Sequence, residues 1–466
     1  MRRMIYALLF VLISIAANGQ AKYVFYFIGD GMGVNQVNGT EMYRAEQQNG
    51  QIGTLPLLFT QFPIAGMATT FSKTNSVTDS AAAGTALATG TKTYNHAIGV
   101  GVDKNALESV AEKAHKSGKK VGVATSVSID HATPAAFYAH QADRGMAYEI
   151  ALDLPKANFD FYAGAGFVSP TTTSAKKEAP SIFPIFEKAG YTLSRGYADY
   201  KAKAGKAQKM ILMQKEDKSV YALPYAIDRK SDDLTLEQIT ESAINFLTKG
   251  KNNGFFLMVE GGKIDWACHG NDAATVFNEV VDMDNAIKIA YEFYKKHPKE
   301  TLIVVTADHE TGGIALGTGD YALNLKVLQY QKHSVDELSA EISKLRRSKG
   351  NKVTWEEMKT FLGETMGFWK EVPVTWEQEK KLHDEYEKSF VKNKVELSES
   401  LYAKSEPMAA RAKEVLNEIA MVSWASGSHS AGYVPVYAVG KGAELFIGKM
   451  DNTDIPKRIA KAGQYK

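Results

Sequence analysis

The 466-residue chain carries 55 Lys and Arg against 53 Asp and Glu, a formal net charge of +2, with 10 His and one Cys. The near-neutral balance, spread along the chain, argues against a nucleic-acid-binding face, and a single cysteine rules out an intramolecular disulfide. The length suits one large domain with insertions or two or three smaller ones, and a core of this size needs no covalent staple.

The first residues, Met1-Arg2-Arg3-Met4, are basic, and Ile5 to Ala17 is almost wholly apolar. With the small residues Ala17 and Gly19 near a cut site, this reads as a secretory signal peptide cleaved after Gly19, and less as an uncleaved N-terminal anchor. The apolar run is short for a membrane span and no later run is long enough, so the mature chain is expected to be exported, periplasmic or secreted, without a transmembrane segment.

Lys22 to Ile28 is a continuous apolar run, the pattern of a strand buried on both faces, and Gly29-Asp30-Gly31-Met32-Gly33 ends it in a tight turn. Thr78-Asp79-Ser80 then leads into the small-residue run Ala81 to Gly90. A helix starting at or just after Ser80 would set that hydroxyl beside free N–H groups and the positive end of a helix dipole, where phosphate binds well. The alternative is that Ser80 serves only as the N-cap.

Further strands are expected at Lys120 to Val127, Gly254 to Val259 and Thr301 to Thr306, with helices at Leu234 to Leu247 and Asp272 to His297. In the second helix Val276, Val280, Met283, Ile287 and Ala290 repeat at helical spacing. Strands alternating with helices imply an α/β fold, a three-layer α/β/α sandwich with a mostly parallel sheet. The loops after three strands carry Asp30, the pair Glu260 and Asp265, and Asp308-His309, and open sheets of this kind bind ligands beyond the carboxyl ends of their strands.

Asp265 and His269 are four apart, so on a helix they share one face and can grip one ion. Asp308 and His309 can both face one ion only if the strand has ended before them. His429 lies in the small, polar loop Gly427 to Gly432. His96, His115, His140, His297, His333 and His383 are read as background, and Cys268 as a small buried thiol. Mixed His and Asp ligands suit zinc, and oxygen-only ligands suit magnesium.

From Ser334 to Ala420 charge density rises and helices dominate, with capping boxes expected at Thr354 to Glu357 and Thr375 to Gln378. This segment reads as a helical insertion or cap. Strand-like sequence returns at Val434 to Val439 and Glu444 to Ile447. The expected division is a signal peptide over 1–19, an α/β core over 20–333, the insertion over 334–420 and a return to the core over 421–466.

Several motifs together resemble the alkaline phosphatases. They are G-D-G-M-G at Gly29 to Gly33, T-D-S-A-A-A-G-T-A at Thr78 to Ala86, H-A-T-P-A-A at His131 to Ala136, and Arg144. V-E-G-G-K-I-D-W-A-C-H at Val259 to His269, T-A-D-H-E-T-G-G at Thr306 to Gly313 and the histidine of Gly427 to Gly432 complete the set in the family's order. The resemblance implies an exported enzyme hydrolysing phosphate monoesters through a phosphoserine on Ser80, at a site of two Zn2+ and one Mg2+. By the same resemblance, Asp265, His269 and His429 match ligands of one zinc. Asp30, Asp308 and His309 match the second, joined by Ser80. Asp30, Thr133 and Glu260 match the magnesium site. Arg144 matches the arginine that clamps the phosphate, steadied by Asp79. A homodimer and small-molecule phosphate monoesters as substrates are implied too.

Two positions depart from some bacterial members, which carry Asp in place of His131 and Lys in place of Trp266. His131 is therefore read as a modulator of the third metal site, either shifting its hydration or metal preference or only bonding a metal-bound water. Trp266 removes a positive charge near the phosphate and implies weaker phosphate retention. The competing readings are a phosphodiesterase-type relative, a sulfatase, for which the Ser80 segment lacks the C/S-x-P-x-R context, and a non-catalytic phosphate- or metal-binding protein.

Overall fold

The computed structural model describes residues 19–48, 50–250, 253–319, 321–402 and 404–466. The expected signal peptide lies outside the described residues, Gly19 excepted. Ten strands form the main sheet, numbered in chain order: β1 (Tyr23–Gly29), β2 (Ile64–Thr69), β3 (Lys120–Thr125), β4 (Phe161–Gly164), β5 (Tyr191–Arg195), β6 (Lys209–Met213), β7 (Phe255–Gly261), β8 (Thr301–Ala307), β9 (Val434–Gly440) and β10 (Gly448–Asp451). Their spatial order is β10-β2-β9-β8-β1-β7-β3-β4-β6-β5. Among the described residues, only β9 runs against its neighbours in this sheet. The α/β class and the mostly parallel sheet are as the sequence implied.

The central strands β1, β7 and β8 are buried along their whole length, which is why they read as unbroken apolar runs rather than alternating ones. Alternate side chains of β1 reach opposite layers. Tyr23 and Phe25 pack on Phe293 of the helix Ala273–Lys296, with ring centroids 5.0 and 5.6 Å away. Tyr26 packs on Phe137 and lies against the helix Ser80–Thr89 on the other face. Each such aromatic pair is worth roughly 0.5–1.5 kcal/mol beyond its buried area. All five apolar positions expected to face the core from Ala273–Lys296 are buried.

The expected strand at Glu444 to Ile447 is not one. Ala443–Phe446 is a short 3-10 turn, and the edge strand follows it as β10. Phe446 is buried and Leu445 packs against the core, so the apolar residues there serve packing without a ladder. Helices fill most of 335–419: Val335–Ser348, Trp355–Met366, Trp376–Tyr386 and Pro407–Ile419. Both expected capping boxes form, at Thr354 with Glu357 and at Thr375 with Gln378. No helix among the described residues is long and apolar enough to cross a membrane.

Candidate active site

The helix Ser80–Thr89 is capped by Asp79, whose Oδ1 accepts from the backbone N–H of Ala82 at 3.0 Å. Ser80 is therefore the first helical residue and its hydroxyl is free of capping. Its Oγ lies 3.2 Å from Nε2 of His309. The alternative in which Ser80 is only the N-cap does not hold.

The turn after β1 brings Asp30 into the same place. Gly31 has φ +71°, and a Cβ there would sit 2.9 Å from Asp265 and from the Thr311 hydroxyl, so the chain passes only because the position is glycine. β8 ends at Ala307, which frees Asp308 and His309 to face one centre as required. Both Asp30 Oδ1 and Asp308 Oδ2 lie 3.3 Å from His309 Nε2. The helix Lys263–His269 sets Asp265 Oδ2 3.3 Å from His269 Nε2. The His429 loop completes that group, its Nε2 3.2 Å from the Nε2 of His269 and 3.7 Å from Asp265 Oδ1.

Three groups among the described residues could each hold a cation: Asp265, His269 and His429; Asp30, Asp308 and His309; and Asp30, His131 and Glu260. Asp30 belongs to two of them. Thr133 is buried nearby with its hydroxyl unpartnered, as are both oxygens of Asp30 and one each of Asp265, Asp308 and Glu260. Buried carboxylates without partners cost several kcal/mol unless a counter-charge is present.

The histidines are oriented for cations. Nδ1 of His269 lies 2.6 Å from the carbonyl of Gly427, and Nδ1 of His429 lies 2.8 Å from the carbonyl of Thr78. A carbonyl only accepts, so each Nδ1 carries a proton and each ring turns its Nε2 inward. The two Nε2 atoms, 3.2 Å apart beside the Asp265 carboxylate, are placed to meet one cation together. Nδ1 of His309 lies 3.2 Å from the hydroxyl of Thr311, which itself donates to Asp265 Oδ1 at 2.5 Å. Such outer partners fix ring orientation and tune the ligand.

The charge balance follows. Burial, then the charges of Asp308, Asp265 and Glu260, pushes Asp30 well above the usual carboxylate range. Burial pushes Glu260 up to about 7 despite the hydrogen bond from Thr125. Burial, then the Arg144 guanidinium, drives His131 down to about 3, so that ring is neutral. His131 Nδ1 lies 4.0 Å from Glu260 Oε1.

Arg144 is fixed beside this cluster, with one Nη donating to Asp79 Oδ2 at 3.3 Å, the contact the sequence implied. The other Nη lies 3.3 Å from His131 Nε2 and donates to the hydroxyl of Tyr402 at 3.1 Å. The Tyr402 ring stacks on Trp266, centroids 4.7 Å apart at 10°. Sequence reasoning missed Tyr402 and assigned no role to Thr311. Thr311 stood inside a recognised motif, whereas Tyr402 lies in Ser400-Leu401-Tyr402, which carries no motif. Cys268 is buried, as expected, and its sulfur accepts a hydrogen bond from the Gln36 amide at 3.8 Å.

Residues 21–160 and 180–465 match the family model described as alkaline phosphatase. The chain belongs to the alkaline phosphatase family. It is 34% identical to alkaline phosphatase 3 of Bacillus subtilis over 472 aligned residues, covering 96% of this chain and 90% of that protein. Alkaline phosphatase 4 of the same organism is 33% identical with the same coverage. Among solved structures, the cold-active alkaline phosphatase of a psychrophilic Shewanella superposes with a TM-score of 0.78 at 28% identity, covering 95% of this chain and 99% of the other. A His-to-Asp variant of the TAB5 alkaline phosphatase, solved with Mg bound in its M3 site, superposes with a TM-score of 0.67 at 28% identity, covering 96% and 99%. Membership of the family makes this chain a phosphoric monoester hydrolase and a metalloenzyme.

Proposed function

We propose that the protein is an exported phosphomonoesterase that works through a phosphoserine on Ser80, with two zinc ions and one magnesium ion beside it. The observation that carries this reading is the convergence of inward-facing histidine nitrogens and unpartnered buried carboxylates around one hydroxyl free of capping. Zinc would be held by Asp265, His269 and His429 and by Asp30, Asp308 and His309, the second set joined by Ser80. Magnesium would be held by Asp30, Glu260 and Thr133, with His131 at its edge. The donor chemistry fits, since the first two sets mix imidazole and carboxylate and the third is oxygen-rich. The TAB5 relative solved with magnesium supports magnesium as one of the cations.

When bound, such cations supply positive charge that acidifies a nearby hydroxyl and steadies the attacking and leaving oxygens of an in-line displacement. The chain's own residues do the rest. Arg144 holds two oxygens of the phosphate with a planar fork that a lysine lacks. The N-terminus of Ser80–Thr89 adds its N–H groups and dipole. Ser80 Oγ attacks phosphorus, the ester P–O bond breaks and the alcohol leaves. Water then cleaves the Ser80–phosphate bond and frees inorganic phosphate. A diester would present one fewer anionic oxygen to this charge, and the Ser80 segment lacks the sulfatase context, so the monoester is favoured. The helices of 334–420 are proposed as a cap carried on the core.

The test is metal content with hydrolysis of an aryl phosphate, a diester and a sulfate ester, before and after chelation. Ser80→Ala should lose roughly 10³- to 10⁶-fold in turnover, the range between one positioned group and a nucleophile, while keeping its zinc. Hydrolysis by Ser80→Ala at the wild-type rate sinks the nucleophile assignment.

A further inference from the structure

Arg144 is already spoken for. One of its terminal nitrogens donates to Asp79, and the other meets both the Tyr402 hydroxyl at 3.1 Å and His131 Nε2 at 3.3 Å. A terminal nitrogen has two hydrogens, so the second one has none to spare. A phosphate that takes a two-pronged contact using that nitrogen must displace Tyr402 or His131.

The two occupants differ in how firmly they are held. His131 is backed by the core, its backbone N–H donating to Ser128 and its own carbonyl accepting from Ala135. Asp79 is pinned by Ala82 and by the backbone N–H of His96. Tyr402 comes instead from the strap between the two-residue strands Ser398–Glu399 and Lys404–Ser405. Among the described residues its hydroxyl bonds to Arg144 alone. The strap parts two cavities. One, about 730 Å³, lies over Lys263 and Trp266, and the other, about 670 Å³, reaches His269 and His429, with Leu401 lining both. Leu401 itself is 64% exposed. Open space on both sides gives the ring somewhere to go.

We infer that Tyr402 is a placeholder for a phosphate oxygen on Arg144, and that it sets phosphate affinity by competing for the guanidinium. In the empty site the hydroxyl satisfies a buried N–H, and phosphate binding exchanges that bond for one to the ligand. Returning, the hydroxyl helps to expel the product. Tyr402 is thus a positioning residue that acts through Arg144. The inference rests on Arg144 being the phosphate clamp proposed above.

Tyr402→Phe keeps the stack on Trp266 and removes only the hydroxyl. In the metal-loaded enzyme it should tighten inhibition by inorganic phosphate about 5- to 10-fold, the net weight of one typical intramolecular hydrogen bond. The KM for an aryl phosphate should fall with it, while kcat does not rise. Tyr402→Ala, which also loses the ring, should tighten phosphate inhibition too. Unchanged inhibition in Tyr402→Phe leaves a packing role only, and weaker inhibition makes the hydroxyl a phosphate ligand; either result overturns the inference. Arg144→Ala separates the two levels. If it leaves phosphate inhibition unaltered, the clamp reading fails. If it weakens inhibition while Tyr402→Phe has no effect, only the placeholder falls.

Discussion

Replacing Asp30 with Asn tests the cation cluster without assaying turnover. Asp30 is fully buried, shared by two of the three donor groups, and has neither oxygen partnered. A cation at a hundred times its dissociation constant stabilises the folded chain by about 2.7 kcal/mol, so three filled sites give about 8 kcal/mol. At about 2.1 cal/mol/K per residue, 466 residues give an unfolding entropy near 1 kcal/mol/K. Chelation should therefore lower the wild-type Tm by about 8 °C. Asp30→Asn weakens two of the three groups, so its chelation shift should shrink to about 3 °C. The sign in the chelated protein is the sharper part. Asp30, Asp265, Asp308 and Glu260 are all buried together, so removing one charge relieves repulsion when no cation is there. Chelated Asp30→Asn should melt above chelated wild type, although the metal-loaded variant melts below metal-loaded wild type. Scanning calorimetry with and without chelator reads both. A variant that melts lower in both states, or whose chelation shift equals that of wild type, refutes the idea that these carboxylates await cations.

Thr311→Val removes the hydroxyl that bonds both Asp265 and the outer nitrogen of His309, and zinc affinity measured by competition with a chelator should fall 10- to 100-fold. Trp266→Lys places an ammonium beside the phosphate site; one charge at about 4 Å in water is worth about 1 kcal/mol, so phosphate inhibition should tighten about fivefold. Tighter inhibition in wild type than in Trp266→Lys would contradict the view that Trp266 loosens phosphate retention. The hydrogen bond that the His140 ring makes to Glu112, against partial burial, raises the pKa of His140, with Asp153 adding to it. A raised folded pKa means that the stabilisation is complete below roughly pH 6.5 and is lost as pH rises through the folded value. Glu112→Gln should accordingly cost more stability at pH 5.5 than at pH 8.5, read as urea midpoints against wild type; an equal cost at both values would show that the pair does not titrate.

What could be read from the sequence divides along a physical line. β1, β7 and β8 were legible because a strand buried on both faces is apolar along nearly all of its length. The cation groups were legible because most of their ligands lie within a few residues of glycines where a strand ends: Gly31 beside Asp30, Gly261 and Gly262 between Glu260 and Asp265, Gly312 and Gly313 after His309. Backbone constraint and ligand chemistry write to the same few positions, so the signal is doubled there. The edge strand was misplaced because Glu444 to Ile447 is apolar enough for packing, while Gly448 to Asp451, exposed on one side, needs no apolar run to pair with β2.

Tyr402 fails on both counts, and this explains why a spacing argument could not reach it. It sits beside the exposed Leu401, in a stretch with no glycine and no periodic pattern, and its partner Arg144 is 258 positions away. A hydroxyl that competes for a guanidinium needs only to arrive, and any backbone that brings it there will serve. Ligands that must hold an ion to within tenths of an ångström constrain the chain around them. A group that has to leave when the substrate comes places no such demand on its surroundings. Residues that tune a reaction by stepping aside are for that reason the ones a sequence conceals, even where it displays every residue that holds the metal.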